Sequence, residues 1–141
     1  MPTREAQAEW YGNLASGNGK MSFGSGAWEG AYTAASRFES GEGTNPEELI
    51  AAAHAGCFSM AFALALSQAG HEPESIMTSA KVHLDKDDGG FSITRSELST
   101  EVKVEGLDDE EFQKYADEAK EGCPVSRALG AIEVGLDARM A

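Results

Sequence analysis

Basic residues are scarce in this chain. Its 141 residues include 11 lysines and arginines against 24 aspartates and glutamates, which gives a formal net charge of −13 at pH 7. So negative a surface repels nucleic-acid phosphates and anionic lipid headgroups. We therefore expect neither a nucleic acid nor a membrane as a partner, and we interpret the charge as a solvated acidic surface.

Cysteine is scarce too. The chain contains Cys57 and Cys123 and no others, and its charged residues 1–5 lack the apolar segment of an export signal. A cytoplasmic location is therefore expected, where disulfides seldom persist as structural links. The two cysteines are predicted to be reactive or inert thiols and not a permanent disulfide.

The length suits a single domain, 1–141, and no internal repeat is present. Turn and capping residues divide the chain into elements. The predicted elements are strands at 5–12 and 19–24, an extended or looping connection at 25–44, a helix from 46 to about 70, strands at 75–86 and 91–105, a helix from 108 to about 122, a helical turn from 124 and a last strand at 131–140. This order predicts an α+β architecture.

The long predicted helix is apolar on nearly every face. Asn45 suits its N-cap, Pro46 its first position, and Glu48 completes a capping box. Alanine is prominent, and His54 and Ser59 lie inside it, so we predict a buried helix of a water-soluble protein and not a membrane span. One small domain can hardly enclose such a helix. The pattern therefore favours a homodimer in which two copies share a core.

The two cysteines differ in their local surroundings. Cys57 lies in the alanine-rich helix, roughly 18 Å beyond the N-cap, where a free cysteine is most often a small hydrophobe with a pKa raised by burial. Cys123 precedes Pro124 and suits the N-cap of a short helix, where partial positive charge lowers a thiol pKa. Local electrostatics therefore favours Cys123 as the nucleophile. Cys57 needs a cation to become a thiolate, and Arg37 is the candidate.

Four runs of sequence, in this order, carry a resemblance. They are residues 36–39 (SRFE), 43–50 (GTNPEELI), 52–61 (AAHAGCFSMA) and 122–126 (GCPVS). In these runs the chain resembles the OsmC family of osmotically inducible peroxidases, which is related to the organic hydroperoxide resistance proteins. The functional arginine of the latter branch lies nearer the N-terminus, whereas the match here is Arg37, which points to the OsmC branch.

The resemblance implies a domain-swapped homodimer with a two-cysteine peroxidase cycle and without a metal or cofactor. Carried over by position, Cys57 is the peroxidatic thiol and Cys123 the resolving thiol. Arg37 is the activating cation and Glu48 its orienting carboxylate. The implied substrates are organic hydroperoxides and hydrogen peroxide, with a thiol or dihydrolipoyl-type reductant, and the implied role is defence against oxidative or osmotic stress.

Physical chemistry supports an arginine in this role. A guanidinium can pair with the thiolate first and with the developing alkoxide later, and a carboxylate can hold its planar fork by a bidentate pair. Glu48 and Cys57 are nine residues apart, roughly 13.5 Å along one helix axis. We therefore predict a composite site, in which Arg37 and Glu48 of one subunit serve Cys57 of the other.

Alternatives from the residues themselves stay open. His54 shares a helix face with Cys57, which allows a Cys–His pair or half of a zinc site with Cys123, but a histidine hydrogen-bonded in a dimer core is favoured. The rival functions are a non-catalytic dimeric binding module with inert thiols and a small zinc protein. Apolar residues could line a pocket for a lipid-like peroxide or simply form core: Phe38, Phe58, Met60 and Phe62.

Overall fold

A computed structural model describes residues 1–141. The chain divides into two compact units, Met1–Leu49 and Ile50–Ala141. Each unit contains one three-stranded sheet. The assignment of 1–141 to one domain stays a prediction.

The first unit is built on an antiparallel sheet in which neighbours in sequence are neighbours in space. Its strands are β1 (Ala6–Tyr11), β2 (Asn18–Phe23) and β3 (Glu29–Tyr32). The first two strands confirm the predicted ones. Trp10 on β1 packs against Tyr32 on β3, with ring centroids 5.3 Å apart, so the aromatic contacts join the two outer strands over the middle one.

The prediction of an extended or looping connection at 25–44 did not include the two regular elements that this segment forms. This segment contains β3 and a short helix, α1 (Ala34–Phe38). The strand forms because its backbone pairs with β2, a tertiary effect that its glycine and alanine residues do not signal. The helix forms because Thr33 and Ser36 cap its start reciprocally, each side chain bonding to the other's backbone N–H.

The long helix, α2 (Pro46–Gln68), confirms its predicted bounds. Asn45 Oδ1 accepts the N–H of Glu48 at the start, as an N-cap does. At the end, the N–H of His71 donates to the Leu66 carbonyl, and Gly70 between them has a φ of +88°, which glycine adopts without strain.

The second unit contains the long hairpin and the closing strand. Strands β4 (Ser75–Asp87) and β5 (Gly90–Lys103) pair antiparallel, and β6 (Glu133–Met140) lies parallel to β5. Helices α3 (Asp109–Gly122) and α4 (Pro124–Ala128) form the connection that a parallel pair requires. Asp108 caps α3 by accepting the N–H of Glu111. These elements confirm the predicted order and the α+β class.

The core of the second unit joins α2, β5 and α3. Its central contacts are aromatic: Phe62 lies 5.6 Å from Phe58 and 5.3 Å from Phe112, ring centroid to ring centroid. Leu98 and Val102 of β5 pack in the same cluster. Burying each large side chain contributes about 1.5–3 kcal/mol, so these contacts fix α3 against α2.

A different part of α2 is uncovered in the single chain. Met60 is 77% exposed and Leu64 is 58% exposed. By length and apolar composition alone the helix is also able to cross a membrane, and 22% of its most apolar window is buried. The chain by itself therefore does not enclose the helix.

Candidate functional site

The second unit brings Cys57 and Cys123 together. Cys57 is partly buried on α2, and Cys123 is fully buried between α3 and α4, with both thiols free. The two thiols share a hydrogen bond. Cys123 is held by its backbone on both sides, since its N–H donates to the Ala119 carbonyl and its own carbonyl accepts the N–H of Arg127. The junction of two helices thus places one thiol against the other.

The surroundings of the two thiols move their pKa values in opposite directions. Burial raises the pKa of the Cys57 thiol, and its hydrogen bond to Cys123 raises it further, while the N–H of Val125 opposes them. Burial alone would raise the pKa of Cys123 as well. The N–H groups of Ser126 and Val125, the Cys57 thiol and the Ser126 hydroxyl together lower the pKa of Cys123 overall. Within this pair Cys123 is the thiol whose pKa is lowered, as its position in the sequence predicted.

Arg37 lies on α1 and is held by Glu47. Its Nε lies 3.1 and 3.2 Å from the two carboxylate oxygens, and its Nη2 lies 2.7 Å from Oε1. Glu47 is buried, whereas the Arg37 side chain is 36% exposed. The guanidinium also lies 5.3 Å from the ring centroid of Phe38. A bidentate pair of this kind fixes the orientation of the guanidinium plane.

The predicted pairing of Arg37 with Glu48 was wrong. The Glu48 carboxylate instead accepts the hydroxyl of Thr44 at 2.7 Å, and the side chain is exposed. Consecutive helical residues point about 100° apart, so only one of two adjacent glutamates can face α1. The predicted role of Arg37 toward Cys57 is a separate matter and stays a prediction, since the Arg37–Glu47 pair belongs to the first unit and both cysteines to the second.

His54 is enclosed and bonded through both ring nitrogens. Its Nδ1 lies 2.7 Å from Ser96 Oγ on β5, and its Nε2 lies 2.7 Å from Ser126 Oγ on α4. Burial lowers the pKa of His54. The favoured prediction was a histidine hydrogen-bonded in a dimer core, and these bonds confirm that it is buried and hydrogen-bonded. They leave neither nitrogen for Cys57 or for a metal, and no cluster of three metal-binding side chains occurs in residues 1–141.

Ser96 and Ser126 were missed by the sequence interpretation. A buried histidine needs hydrogen-bond partners. Both serines, however, lie far from His54 in the chain and in regions with several other hydroxyl residues. The motif GCPVS placed Ser126 beside Cys123, which was the one available signal.

The four residues predicted to line a pocket or to form core divide into two buried and two exposed ones in the single chain, with Phe38 38% exposed. Phe58 and Phe62 are fully buried core residues, whereas Met60 is exposed. An open groove of about 400 Å³ lies in the second unit, and its lining includes Gly122, which precedes Cys123 in the chain. Its apolar walls include Ala61, Leu64 and Tyr115.

The comparisons with known proteins agree with one another. A family model described as OsmC-like protein matches residues 39–137. The chain is 50% identical over 135 residues to Peroxiredoxin OsmC of Escherichia coli (strain K12), which covers 95% of this chain and 94% of the relative. It is 44% identical over 101 residues to Organic hydroperoxide resistance protein-like 1 of Staphylococcus saprophyticus, which covers 68% and 69% respectively.

The fold is also similar to solved structures. An organic hydroperoxide resistance protein from Elizabethkingia anophelis superposes with a TM-score of 0.79 at 30% identity, covering 100% of this chain and 98% of that one. The mixed architecture of two sheets and a long helix is therefore shared with that protein.

Proposed function

The chain belongs to the OsmC-like protein family, and on that basis we propose that it is a cysteine-based peroxidase for organic hydroperoxides and hydrogen peroxide. The names of its relatives, a peroxiredoxin and organic hydroperoxide resistance proteins, support a peroxidase-type role. The proposal includes defence against oxidative or osmotic stress. The observation that carries the proposal is the hydrogen-bonded pair of free thiols, Cys57 and Cys123, in the core of the second unit.

The proposed cycle has three steps. The thiolate of Cys57 attacks the terminal peroxide oxygen, the O–O bond breaks, and the alkoxide leaves as an alcohol after taking a proton. The thiolate of Cys123 then attacks the sulfenic acid of Cys57, a disulfide forms, and hydroxide leaves as water. Two thiols, or one dihydrolipoyl group, reduce the disulfide and are oxidised in turn.

Cys57 requires a cation for the first step because burial and Cys123 both oppose its ionisation. In the proposal that cation is Arg37. Glu47 binds Nε and Nη2. We propose that the remaining amino group, Nη1, contacts the reacting atoms. The guanidinium then stabilises the thiolate before attack and the alkoxide during it. Glu47 is therefore the carboxylate proposed to orient Arg37, in place of Glu48, which the sequence predicted.

A domain-swapped homodimer is part of the proposal. Met60 and Leu64 on the uncovered part of α2 are large apolar residues that a second copy would bury. The helix-spacing argument made for Glu48 applies equally to Glu47, so Arg37 and Glu47 of one subunit are proposed to serve Cys57 of the other. A cytoplasmic location supplies the reducing thiols that the last step consumes.

One rival function has an observation in its favour. The raised pKa of Cys57 is what an inert, buried thiol in a binding module would show. Peroxide titration separates the two functions. The reduced protein receives one equivalent of an alkyl hydroperoxide, and its free thiols are counted before peptide mapping by mass spectrometry.

The peroxidase loses two thiols per chain and gains an internal disulfide between Cys57 and Cys123. A Cys57→Ser control consumes no peroxide. Cys123→Ser still consumes one equivalent and stops at a sulfenic acid, which a dimedone adduct on Cys57 reports. Retention of both thiols in the unmodified chain at this ratio rejects the proposed function and favours the binding module.

A further inference from the structure

A line of buried polar side chains leads to Cys123 from across the core. Ser96 on β5, His54 on α2 and Ser126 on α4 are joined by two hydrogen bonds of 2.7 Å, one at each ring nitrogen of His54. All three residues are buried. The hydroxyl of Ser126 in turn bonds with the thiol of Cys123. The line Ser96–His54–Ser126 therefore ends on a sulfur that the proposed cycle uses.

The hydrogens along this line have one consistent arrangement when Cys123 is a thiolate. A thiolate only accepts, so the Ser126 hydroxyl donates to it. Ser126 Oγ then accepts the Nε2–H of His54, and His54 Nδ1 accepts the hydroxyl of Ser96. Each donor points toward the sulfur. Hydrogen bonds aligned in this way polarise one another, which strengthens the bond at the end of the chain.

His54 acts in this line as a neutral ring. Burial lowers its pKa and is the only cause of the shift, so no charged side chain contributes at this position. The residues facing it from the packed elements are the hydroxyls of Ser96 and Ser126, with Cys57 one turn further along its own helix. A neutral histidine supplies an N–H dipole and leaves the negative charge on the sulfur.

We propose that His54 is a positioning residue for the resolving thiol, which through Ser126 holds Cys123 as a thiolate. The inference rests on the proposed function and names a residue that its catalytic steps leave out. His54 thereby acts twice in the cycle, when the disulfide forms and when it reopens, and it takes no part in the attack on peroxide.

The chemistry balances in both steps. In the first, the Cys123 sulfur bonds to the Cys57 sulfur, the S–O bond of the sulfenic acid breaks, and the departing hydroxide takes up the proton that Cys123 had released to solvent. In the second, a reductant thiolate bonds to the Cys57 sulfur, and the electron pair of the broken S–S bond returns to Cys123. A stabilised thiolate is the better leaving group.

The first experiment measures the ionisation of Cys123 without any peroxide chemistry. In a Cys57→Ser background, the ultraviolet absorbance of the thiolate is followed against pH. Ser126→Ala removes the donor and is expected to raise the midpoint by about one pH unit, the size of a charge-assisted hydrogen bond. Ser59→Ala, on the same helix as His54 but bonded to Thr78, is the control and keeps the parent midpoint.

Two substitutions at His54 separate the proposed role from a merely structural one. The amide nitrogen of His54→Gln reaches the position of Nε2 and can still donate to Ser126. The amide nitrogen of His54→Asn reaches only the position of Nδ1 and cannot donate to Ser126. His54→Gln is therefore expected to keep the parent midpoint, and His54→Asn to raise it. Equal midpoints in all variants, or equal shifts in both His54 variants, overturn the proposal.

The second experiment measures the steps of the cycle in the full two-cysteine protein by stopped flow. Ser126→Ala and His54→Asn are expected to slow disulfide formation about ten-fold and to leave the rate of sulfenic acid formation undiminished. An equal loss in both steps overturns the proposed role. A protein whose Cys123 titrates as expected but whose Cys57 never reacts with peroxide rejects the peroxidase function instead, and the two failures are thereby distinguished.

Discussion

The guanidinium of Arg37 binds Glu47, with Nη2 2.7 Å from Oε1, and it does not bind Glu48, the next residue in the chain. Glu47 is buried, and Glu48 is exposed and bonded to Thr44. The two glutamates therefore make a matched pair for testing whether the orientation of Arg37 matters to turnover.

Glu47→Gln is expected to reduce kcat/KM for an organic hydroperoxide about ten-fold or more. The variant keeps the shape of the side chain but loses a charge-assisted bond of about 1.5–3 kcal/mol, and the guanidinium is then free to rotate. Glu48→Gln is the control and is expected to stay within about two-fold, because an exposed carboxylate contributes little. Equal losses from the two substitutions would contradict the assignment of Glu47.

Arg37→Met tests the two functions proposed for the guanidinium. A thiol of pKa about 8.5 is only a few per cent ionised at pH 7, so supplying a thiolate increases the rate of an ordinary thiol by roughly 30-fold at most. In the variant, raising the pH ionises Cys57 and so restores the part of the rate that depends on thiolate formation. A deficit in the single-turnover rate of peroxide attack should persist at a pH where Cys57 is fully ionised, and it measures stabilisation of the leaving alkoxide. Recovery to the parent rate at high pH would mean that Arg37 promotes only the ionisation of Cys57 and does not stabilise the leaving alkoxide.

The long elements were predictable because their signals are local. The Asn45-Pro46 start and Gly70 end of α2, and the turn before Gly90, are set by backbone chemistry that each residue carries with it. The strand β3 was not predictable, because its four residues are held by pairing with β2. Local propensity decides where a helix begins, and tertiary pairing decides whether a short polar segment becomes a strand.

The candidate site shows the same division. The motifs identified Cys57, Cys123 and Arg37, and position at the N-terminus of a short helix predicted the lowered pKa of Cys123. The choice between Glu47 and Glu48 depended on which way each points. The capping position in fact gave a clue, because a residue at that position tends to turn back toward the N-cap. Ser96 reaches His54 from another strand, and nothing in a sequence specifies such a contact.

The uncovered part of α2 predicts a dimer that one charge can disrupt. Met60→Lys is expected to shift the protein from dimer to monomer, or to lower its dimer affinity at least a hundred-fold, since it would bury an unpaired ammonium group. Met77→Lys is the control, because Met77 on β4 has the same 77% exposure in the single chain. Light scattering coupled to size-exclusion chromatography measures both. A dimer that tolerates Met60→Lys as well as Met77→Lys would place the contact between subunits elsewhere.

The enclosed His54 makes stability depend on pH in a defined direction. Its pKa in the folded chain lies below the ordinary value of 6.5, so the unfolded chain binds more protons as the pH falls. The stability associated with the neutral ring is complete above about pH 6.5 and is lost as the pH falls toward the folded pKa. Urea unfolding between pH 7.5 and pH 5 should therefore show a decreasing free energy of unfolding, by at most about 1.4 kcal/mol per pH unit from this one group.

His54→Gln keeps a neutral hydrogen-bonding side chain and should flatten the dependence of stability on pH, whereas His71→Gln, outside the core, should retain it. If His54→Gln retains the full slope, the loss of stability in acid arises from other groups, and protonation of His54 does not reduce the free energy of unfolding.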